Sequence, residues 1–375
     1  MKKVCHITSV HRWDDTRIFY KECCTLVEAG WEVALIAANG TPGMHKGVKL
    51  VVVKNTRASR LYRATVVAWR ILRSALQQKT NVVHFHDPEL IWVGLVLRIL
   101  GKKVVYDVHE NLRAQIEDKP WLRFPKTARW LYGIVERISV RSFSIVIAEN
   151  SYTEIFSPFN VEPIAVLNYP QVEELRQLNV VSANRTSKVG ILYVGLISEG
   201  RCFIDIVRAL HLLKTRNIHY QMHAVGPMEE GLMARLEGMP EYREVKEQIH
   251  LYGRLPVFEA YRMAEKCSIA LSLLKPLPNY TRSISTKVFE YMSLGIPFIT
   301  SRFPVYQFIE DEKLGVLCNA EDYHDIADKI HNLMTGGAQI ENMIKSSKRV
   351  VVEKYSWESQ AENLKALYAS LAEGS

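Results

Sequence analysis

Residues 283–297 have the sequence SISTKVFEYMSLGIP and contain signals for both ends of one helix. Ser285 is a residue type that caps helix N-termini, and Gly295 is typical of the position that ends a helix. The apolar runs Ile269–Leu273 and Phe298–Thr300 flank the helix and have the length and composition of buried strands. The order strand, helix, strand predicts parallel sheet at this point of the chain.

The same alternation of short apolar strands and helical segments extends through the whole chain. The strands predicted most clearly are Val4–Ser9, Val82–Phe85 and Lys103–Val108 in the first half, and Val189–Val194 and Tyr220–Val225 in the second. A polar stretch over residues 168–187 separates the halves and is predicted to be a linker. The sequence therefore predicts two α/β units with parallel sheets, which bind ligands at the carboxyl ends of their strands.

Charge and composition restrict the class of protein. All of the formal net charge of +8 lies in the first 170 residues, which contain 24 lysines and arginines against 15 acidic residues. This surplus favours an anionic partner, and an ordinary basic surface is the alternative. The six cysteines have no metal-binding spacing, and the apolar run Leu90–Leu97 is far shorter than the ~20 residues of a membrane span. We therefore expect a cytoplasmic protein with reduced thiols.

A lysine lies in the first turn of the helix predicted within 283–297. A cation is unfavourable at that position unless an anion shares the site with it. Because N–H groups at a helix N-terminus bind phosphate, Ser285, Thr286 and Lys287 together predict an anion site. Glu290 lies three residues further along on the same face, where its carboxylate can accept the two hydroxyls of a ribose. A surface Lys–Glu pair has the same spacing and is the alternative.

A second cationic turn follows the predicted strand Val189–Val194. Gly195 and Gly200 bracket this turn and allow the backbone to approach a ligand, and Arg201 precedes the next helix. The chain contains neither GxGxxG nor GxxxxGK[ST], so this turn is weak evidence alone. Two cationic helix starts in one domain nevertheless favour a diphosphate ligand.

Residues 287–297 closely resemble the K-x-F-E-Y-M-x-x-G-x-P signature of retaining two-domain glycosyltransferases with the GT-B fold, family 4 type, or glycosyl transferases group 1. The resemblance extends over almost the whole chain. In the first half it rests on residues 15–22 (DTRIFYKE), 86–90 (HDPEL) and 106–110 (YDVHE). In the second half it rests on Tyr193–Gly195 with Arg201, on Gly226, on Gly253–Arg254 and on Tyr355–Glu358.

The resemblance implies an α/β fold of two Rossmann-like, doubly wound domains that face each other across a cleft. It implies an N-terminal acceptor-side domain over residues 1–170, onto which residues 356–375 cross back. It also implies a C-terminal domain over residues 171–355 that binds the nucleotide sugar.

Roles on the donor side also follow from the resemblance. Arg201 and Lys287 would bind the donor diphosphate, and Glu290 would bind the ribose. The backbone near Gly253 and Arg254 would bind the base. No other cofactor is expected, and the co-substrate would be a UDP- or GDP-linked sugar.

Three further donor-side positions come from the same comparison. Gly195 and Gly226 match the family in order, and the resemblance assigns them to donor binding. Many members carry an acid eight residues before the Glu290 position, where it contacts the hydroxyls of the donor sugar. This chain has Arg282 there, so the identity of the sugar stays open.

The first half supplies candidates for chemistry at the sugar and the acceptor. His109 ends a predicted strand, where it can hydrogen-bond the donor sugar and stabilise an oxocarbenium-like transition state; a histidine satisfied within a loop is the alternative. His86 and Asp87 end the preceding strand and are predicted to orient the acceptor hydroxyl. The resemblance adds Asp15 and Glu110 to the acceptor side.

The resemblance implies retention of anomeric configuration, with His109, Arg201 and Lys287 as the catalytic residues. The acceptor would attack the face that the diphosphate leaves, and the departing phosphate oxygen would take the proton. The acids of Asp87-Pro88-Glu89 resemble the DxD of metal-dependent transferases, but Pro88 fits the first position of a helix. We expect no metal.

Two basic stretches with aromatic residues predict a membrane contact. Residues 54–79 contain seven lysines and arginines with Tyr62 and Trp69 and no acid, and residues 121–141 are similar. Basic helices with tryptophan and leucine commonly lie on anionic membranes. We expect peripheral binding at the inner face of the cell membrane and a lipid-linked saccharide acceptor; no motif for nucleic-acid recognition accompanies the charge.

The sequence therefore predicts a retaining, metal-independent hexosyltransferase in bacterial surface polysaccharide or glycolipid synthesis. Two alternatives remain open. One is a sugar-nucleotide epimerase of the same fold, and the other is a transferase-like subunit without activity.

Overall fold

The structure is a computed structural model that describes residues 2–57, 59–109, 133, 137–178 and 189–373. The chain divides into two compact units. The first unit contains Met1–Asn168 and Trp357–Ser375, and the second contains Tyr169–Ser356. Each unit is built around one sheet, so the predicted α/β fold is confirmed.

The sheet of the first unit has the strand order β3-β4-β2-β1-β5-β6-β7-β8 and is parallel except for the β3–β4 pair. Its strands are β1 Lys3–Ile7, β2 Glu32–Ala37, β3 Gly43–His45, β4 Val48–Val52, β5 Val82–Phe85, β6 Lys103–Val108, β7 Ser144–Ile147 and β8 Ile164–Ala165. The chain winds outward in one direction from β1 and in the other from β5. Ligands of such sheets collect at this switch point, at the carboxyl ends of the strands.

The sheet of the second unit is parallel throughout its described strands and has the order β11-β10-β9-β12-β13-β14. Its strands are β9 Val189–Val194, β10 Tyr220–Val225, β11 Ile249–Leu251, β12 Ile269–Ser272, β13 Phe298–Ser301 and β14 Val316–Cys318. Here the switch point lies between β9 and β12.

Helices cover both faces of each sheet. Up to residue 168 the helices for which both ends are described are α1 (Thr16–Cys23, continued by Cys24–Glu28), α2 (Arg60–Tyr62, Arg63–Val67 and Ala68–Gln77), α3 Ile91–Ile99 and α4 Thr153–Phe156. Residues 137–142 are also helical. The second unit contains α5 Val172–Arg176, α6 Phe203–Thr215, α7 Leu232–Gly238, α8 Pro240–Val245, α9 Val257–Arg262, α10 Pro278–Thr281, α11 Thr286–Leu294, α12 Gln307–Asp311, α13 Tyr323–Thr335 and α14 Gly337–Lys354. The last helix is α15 Trp357–Glu373.

Single helical turns complete the regular structure; they lie at Pro88–Leu90, Asn150–Tyr152, Ser157–Phe159, Glu199–Arg201, Lys246–Gln248, Met263–Lys266 and Pro304–Tyr306. Within the ranges described, no helix is both long and apolar enough to cross a membrane.

Helix α15 packs on the sheet of the first unit. Leu364 and Tyr368 are fully buried in an apolar cluster that also contains Val4 of β1. The indole N–H of Trp357 donates to the Thr25 hydroxyl at 3.0 Å and ties the start of α15 to α1. The last helix therefore completes the core on one face of this sheet.

Strand β1 is shorter than predicted because its carboxyl end turns away from the sheet. It ends at Ile7 rather than at Ser9. The backbone N–H of Ser9 donates to the Asp87 carboxylate at 2.6 Å instead of to a neighbouring strand. This turn places the residues after β1 beside the end of β5, at the switch point.

Candidate functional site

Two cations of the second unit stand close to Gly195, which follows β9 at the switch point. Gly195 has φ +139°, and a Cβ atom added there would lie 2.7 Å from Arg201 Nη1 and 3.7 Å from Lys287 Cε. Only a glycine leaves room for both side chains at this distance. The structure therefore brings the two predicted diphosphate-binding cations together at the carboxyl end of β9.

The backbone itself forms the rest of this edge. Gly226 follows β10 with φ +150°, and a Cβ atom there would overlap the carbonyl oxygen of Gly195. The Gly226 N–H donates to the carbonyl of Gly253 at 2.8 Å, just beyond β11. The predicted glycines therefore adjoin one another after three neighbouring strands. Arg254 and Arg282 are exposed, and neither lines the cavity described next.

A cavity of about 200 Å³ opens at the start of α11. It is lined by Arg201, Leu274, Tyr280, Ser283, Ser285, Thr286 and Lys287, and none of these residues is acidic. The Nε atom of Arg201 is buried and has no hydrogen-bond partner among the described residues. A buried donor without an acceptor is costly, so the cavity is suited to an anion.

Helix α11 has the predicted bounds, Thr286–Leu294, and ends at Gly295 with φ +68°. Ser285 stands at the N-cap position, but its side chain makes no capping hydrogen bond within the described chain. Its backbone N–H donates to the Tyr306 hydroxyl at 2.9 Å. The cavity lies at the start of α11 and therefore at the positive end of the helix dipole, where the N–H groups of the first turn favour an anion.

Lys287 and Glu290 lie together on α11, as their spacing predicts. Lys287 Nζ donates to Glu290 Oε2 at 3.0 Å, and the Tyr261 hydroxyl donates to the same oxygen. Lys287 Nζ also lies 5.9 Å from the centroid of the Tyr261 ring. Tyr261 was not predicted, because no local spacing connects it to α11. Its buried hydroxyl fixes the carboxylate that restrains Lys287.

The first unit collects a second group of polar side chains at its own switch point. His109 follows β6, and its Nε2 lies 2.6 Å from Asp107 Oδ2. The carboxylate of Asp107 is also held by Arg17, with Nε–Oδ2 at 2.9 Å and Nη2–Oδ1 at 2.8 Å. Burial alone would raise the pKa of Asp107, but the charge of Arg17 and the bonds from His109 hold it well below its usual value.

Two of the predicted acceptor-side residues are buried. His86 is 1% exposed and Asp87 is 2% exposed. Asp87 Oδ2 accepts hydrogen bonds from the Thr8 hydroxyl at 2.8 Å and from the backbone N–H groups of Ser9 and Val10. The expectation that His86 and Asp87 contact the acceptor conflicts with this burial. Asp87 instead shapes the loop after β1.

Asp15 caps α1, and His11, which the sequence reasoning missed, lies beside it. Asp15 Oδ1 accepts from the N–H groups of Arg17 and Ile18 at 2.9 and 3.1 Å. His11 Nδ1 lies 3.6 Å from Asp15 Oδ2, and His11 Nε2 lies 3.5 Å from Asp87 Oδ1. The ring centroid of His11 is 5.1 Å from that of His109. Its place in the loop after β1 is the signal that could have identified it. Glu110 lies outside the described residues.

Comparison with known proteins identifies the family. Residues 188–336 match the family described as "Glycosyl transferases group 1", and residues 17–153 match "Glycosyl transferase 4-like domain". The chain is a group 1 glycosyltransferase. Together the two matches include most of the candidate residues of both units. A search of curated protein sequences finds no match.

Solved structures show that the transferase has the GT-B fold. Sucrose-phosphate synthase from Thermosynechococcus elongatus is 15% identical, with a TM-score of 0.75 and complete coverage of both chains. Anabaena HepE in complex with UDP and glucose is 10% identical, with a TM-score of 0.70 and coverage of 99% of this chain and 100% of the other. The lipopolysaccharide glycosyltransferase WaaG is 14% identical, with a TM-score of 0.67 and coverage of 96% and 99%.

Proposed function

We propose that the transferase uses a UDP- or GDP-linked sugar as its donor and binds the diphosphate in the cavity beside Arg201 and Lys287. The observation that carries this proposal is the buried, unpartnered Nε of Arg201, next to a second cation and a helix N-terminus. The structure of HepE with UDP-glucose adds support from the same fold. Glu290 is proposed for the ribose, and the backbone at Gly253 and Arg254 for the base.

The proposed reaction retains the configuration of the donor sugar. The acceptor attacks from the side of the departing diphosphate, whose oxygen takes the acceptor proton. Arg201, Lys287 and the α11 dipole stabilise the negative charge that develops on the diphosphate. We propose that His109 hydrogen-bonds the sugar and that the two cations take the place of a metal.

A thermal-shift experiment tests the donor site. UDP or GDP at about 100 times its Kd is expected to raise the unfolding free energy by about 2.7 kcal/mol, because only the folded state binds it. Arg201→Ala is expected to abolish the shift. The matched control is Arg302→Ala, which removes an exposed arginine paired with Glu310 in the same unit and should leave the shift intact. If neither nucleotide raises the melting temperature, the proposed donor is wrong.

Product analysis separates transfer from the two alternatives. Slow release of nucleotide that is stimulated by a saccharide acceptor supports transfer. Isomerisation of the nucleotide sugar without release would indicate the epimerase. Binding without either reaction would indicate a subunit that lacks activity. This alternative is considered because Arg282 stands where many family members have an acid. The anomeric proton coupling in the NMR spectrum of the product reports retention or inversion.

We further propose that α2 binds an anionic membrane and thereby brings a lipid-linked saccharide to the transferase, in surface polysaccharide or glycolipid synthesis. Leu61, Trp69 and Leu76 of α2 are 75%, 60% and 40% exposed. Arg60 and Arg73 flank them and are also exposed. An apolar stripe with flanking cations is the arrangement that inserts between anionic headgroups. Residues 121–132, in the second basic stretch, lie outside the described residues.

Vesicle flotation tests the membrane contact. The transferase is expected to float with vesicles of phosphatidylglycerol and phosphatidylcholine at low salt and to be released as salt screens the cations. Leu61→Ser with Trp69→Ser should reduce the bound fraction at least tenfold. Ile99→Ser is the matched control, because Ile99 is 84% exposed in the same unit but lies outside the basic stretch. Equal binding of both variants would contradict the assignment to α2.

A further inference from the structure

A chain of buried hydrogen bonds runs through the first unit from helix α15 to His109. Tyr368 lies 3.1 Å from His6 Nε2, and His6 Nδ1 lies 3.0 Å from His86 Nε2. His86 Nδ1 lies 3.2 Å from Asp107 Oδ2, the oxygen that also contacts His109 Nε2 at 2.6 Å. The first four residues are at most 1% exposed. His6 lies on β1 and Asp107 on β6, and His86 follows β5, so three neighbouring strands bring the central groups together.

The direction of every bond in this chain follows from Asp107. An ionised carboxylate can only accept, so both His86 Nδ1 and His109 Nε2 must carry hydrogens. These two nitrogens lie 3.3 Å apart because they share one acceptor, not because they bond each other. Arg17 keeps Asp107 ionised by its two-pronged ion pair.

The remaining tautomers follow in turn. Burial lowers the pKa of His86 to about 4, so its ring is neutral and Nε2 must accept from His6 Nδ1. Burial and the neighbouring His86 lower the pKa of His6 as well, so His6 Nε2 accepts from the Tyr368 hydroxyl. The oxygen of Tyr368 then accepts from His84 Nδ1 at 2.8 Å. One assignment of hydrogens satisfies all five contacts.

Glu22 is a further buried titratable group that faces these rings. Its Oε2 lies 3.8 Å from His6 Nδ1, 3.9 Å from His86 Nε2 and 4.0 Å from His84 Nδ1. Burial and the nearby Asp107 raise the pKa of Glu22, and Arg17, whose Nε lies 3.1 Å from Glu22 Oε1, lowers it. The distances of 3.8–4.0 Å to the rings are too long for hydrogen bonds, so Glu22 does not take the hydrogens of the histidines.

Two groups of the described residues are spaced closely enough to hold a metal ion: His6, Glu22, His84 and His86, and also His86, Asp107 and His109. A metal in the second group would displace the hydrogens by which His86 Nδ1 and His109 Nε2 bond to Asp107. A metal at His6 Nδ1 would replace the hydrogen that bonds to His86. A metal at His84 Nδ1 would break its 2.8 Å bond to Tyr368. The hydrogen-bond chain therefore accounts for these contacts better than a metal does, and metal binding becomes an outcome of the test.

We propose that Asp107 is the positioning residue of His109, holding the hydrogen on Nε2 so that Nδ1 is the nitrogen that meets the donor sugar. This inference rests on the proposed role of His109 in sugar transfer. The His109 side chain is 13% exposed, whereas Asp107 is fully buried and acts only through the histidine. An imidazole with one nitrogen fixed in this way presents the other in a defined orientation.

Nitrogen-15 NMR of histidine rings in the intact transferase tests the tautomers directly. His6, His84 and His86 are expected to carry hydrogen on Nδ1, and His109 on Nε2. The signals are assigned by single histidine-to-glutamine variants. The opposite tautomer at His86 or His109, or one equivalent of tightly bound metal in the purified protein, would overturn the inference. The NMR measurement does not depend on activity. The predicted tautomers can therefore be wrong in a protein that transfers sugar, and they can be right in a protein that does not.

Kinetics test the consequence for catalysis. Asp107→Asn is expected to lower kcat roughly 100-fold or more with little change in the KM for the donor, because orientation is lost while the diphosphate site is intact. Tyr368→Phe is the control at the far end of the hydrogen-bond chain. It should leave the His86 and His109 signals and kcat unchanged, because Asp107 fixes the direction of the hydrogen bonds from these two histidines. If Asp107→Asn does not fold, the wild-type tautomers still decide the question. An unchanged kcat in a folded Asp107→Asn variant would contradict the proposal that Asp107 positions His109.

Discussion

Lys287→Ala is expected to lower kcat by about 10²–10³-fold, since removing one preorganised group that stabilises developing charge typically costs this much. The expected loss of folding stability is small. Lys287 forms an (i, i+3) pair with Glu290 on one helix, and such pairs contribute about 0.2–0.5 kcal/mol. The Tyr261 hydroxyl still donates to Glu290 in the variant. Steady-state nucleotide release and urea denaturation measure the two effects.

The matched control for this variant is Lys365→Ala. Lys365 also forms an (i, i+3) pair, with Glu362 on α15, at 2.8 Å. Removing it changes charge and pairing in the same way but leaves the cavity untouched, so rate and stability should both stay near wild type. Lys287→Arg adds a second comparison, because it keeps the positive charge with a different geometry. Normal turnover in Lys287→Ala would show that Lys287 does not bind the diphosphate.

Local patterns determined how much of the fold the sequence could predict. Helix α11 was predicted to the residue because its N-cap and its final glycine are encoded within a few positions of each other. Strands β9 and β10 were predicted equally well, since β9 is an apolar run and β10 alternates apolar with polar residues, and a glycine follows each. Strand β1 was predicted to be too long, because its end depends on the bond from Ser9 to Asp87, which is 78 residues further along the chain.

For the candidate site, too, local contacts could be predicted and long-range contacts could not. The pairing of Lys287 with Glu290 could be predicted from helical spacing, and the comparison with a known signature supplied their proposed roles. The partners of these residues could not be found in this way. Tyr261 reaches Glu290 from another helix, and Arg17 reaches Asp107 across 90 residues of sequence. Such contacts depend on which strands become neighbours, and no local period encodes that.

Arg17→Met is expected to reduce the unfolding free energy of the first unit by about 3–5 kcal/mol. Arg17 is 3% exposed and its partner Asp107 is fully buried. Besides its two bonds to Asp107, the guanidinium donates to the carbonyl of Val166 at 2.7 Å, and its Nε lies 3.1 Å from Glu22 Oε1. Methionine fills much of the same volume, so the main loss is electrostatic: a carboxylate remains buried without its counter-charge.

A double-mutant cycle isolates that electrostatic cost. Arg17→Met with Asp107→Asn removes both charges, and it should recover a large part of the loss, because no unpaired ion remains in the core. Arg12→Met is the control for losing an arginine from an exposed ion pair of the first unit, here with Asp14, and should cost less than about 1 kcal/mol.

Tryptophan fluorescence is the suitable probe for this cycle. All seven tryptophans belong to the first unit: Trp13, Trp31, Trp69, Trp92, Trp121, Trp130 and Trp357. Urea denaturation followed by their emission therefore reports the unit that contains Arg17, undisturbed by unfolding of the second unit. If Arg17→Met and Arg12→Met unfold at the same urea concentration, the buried pair does not hold Asp107 ionised. The fixed proton on His109 would then lose its physical basis, because every tautomer in the histidine chain follows from that charge.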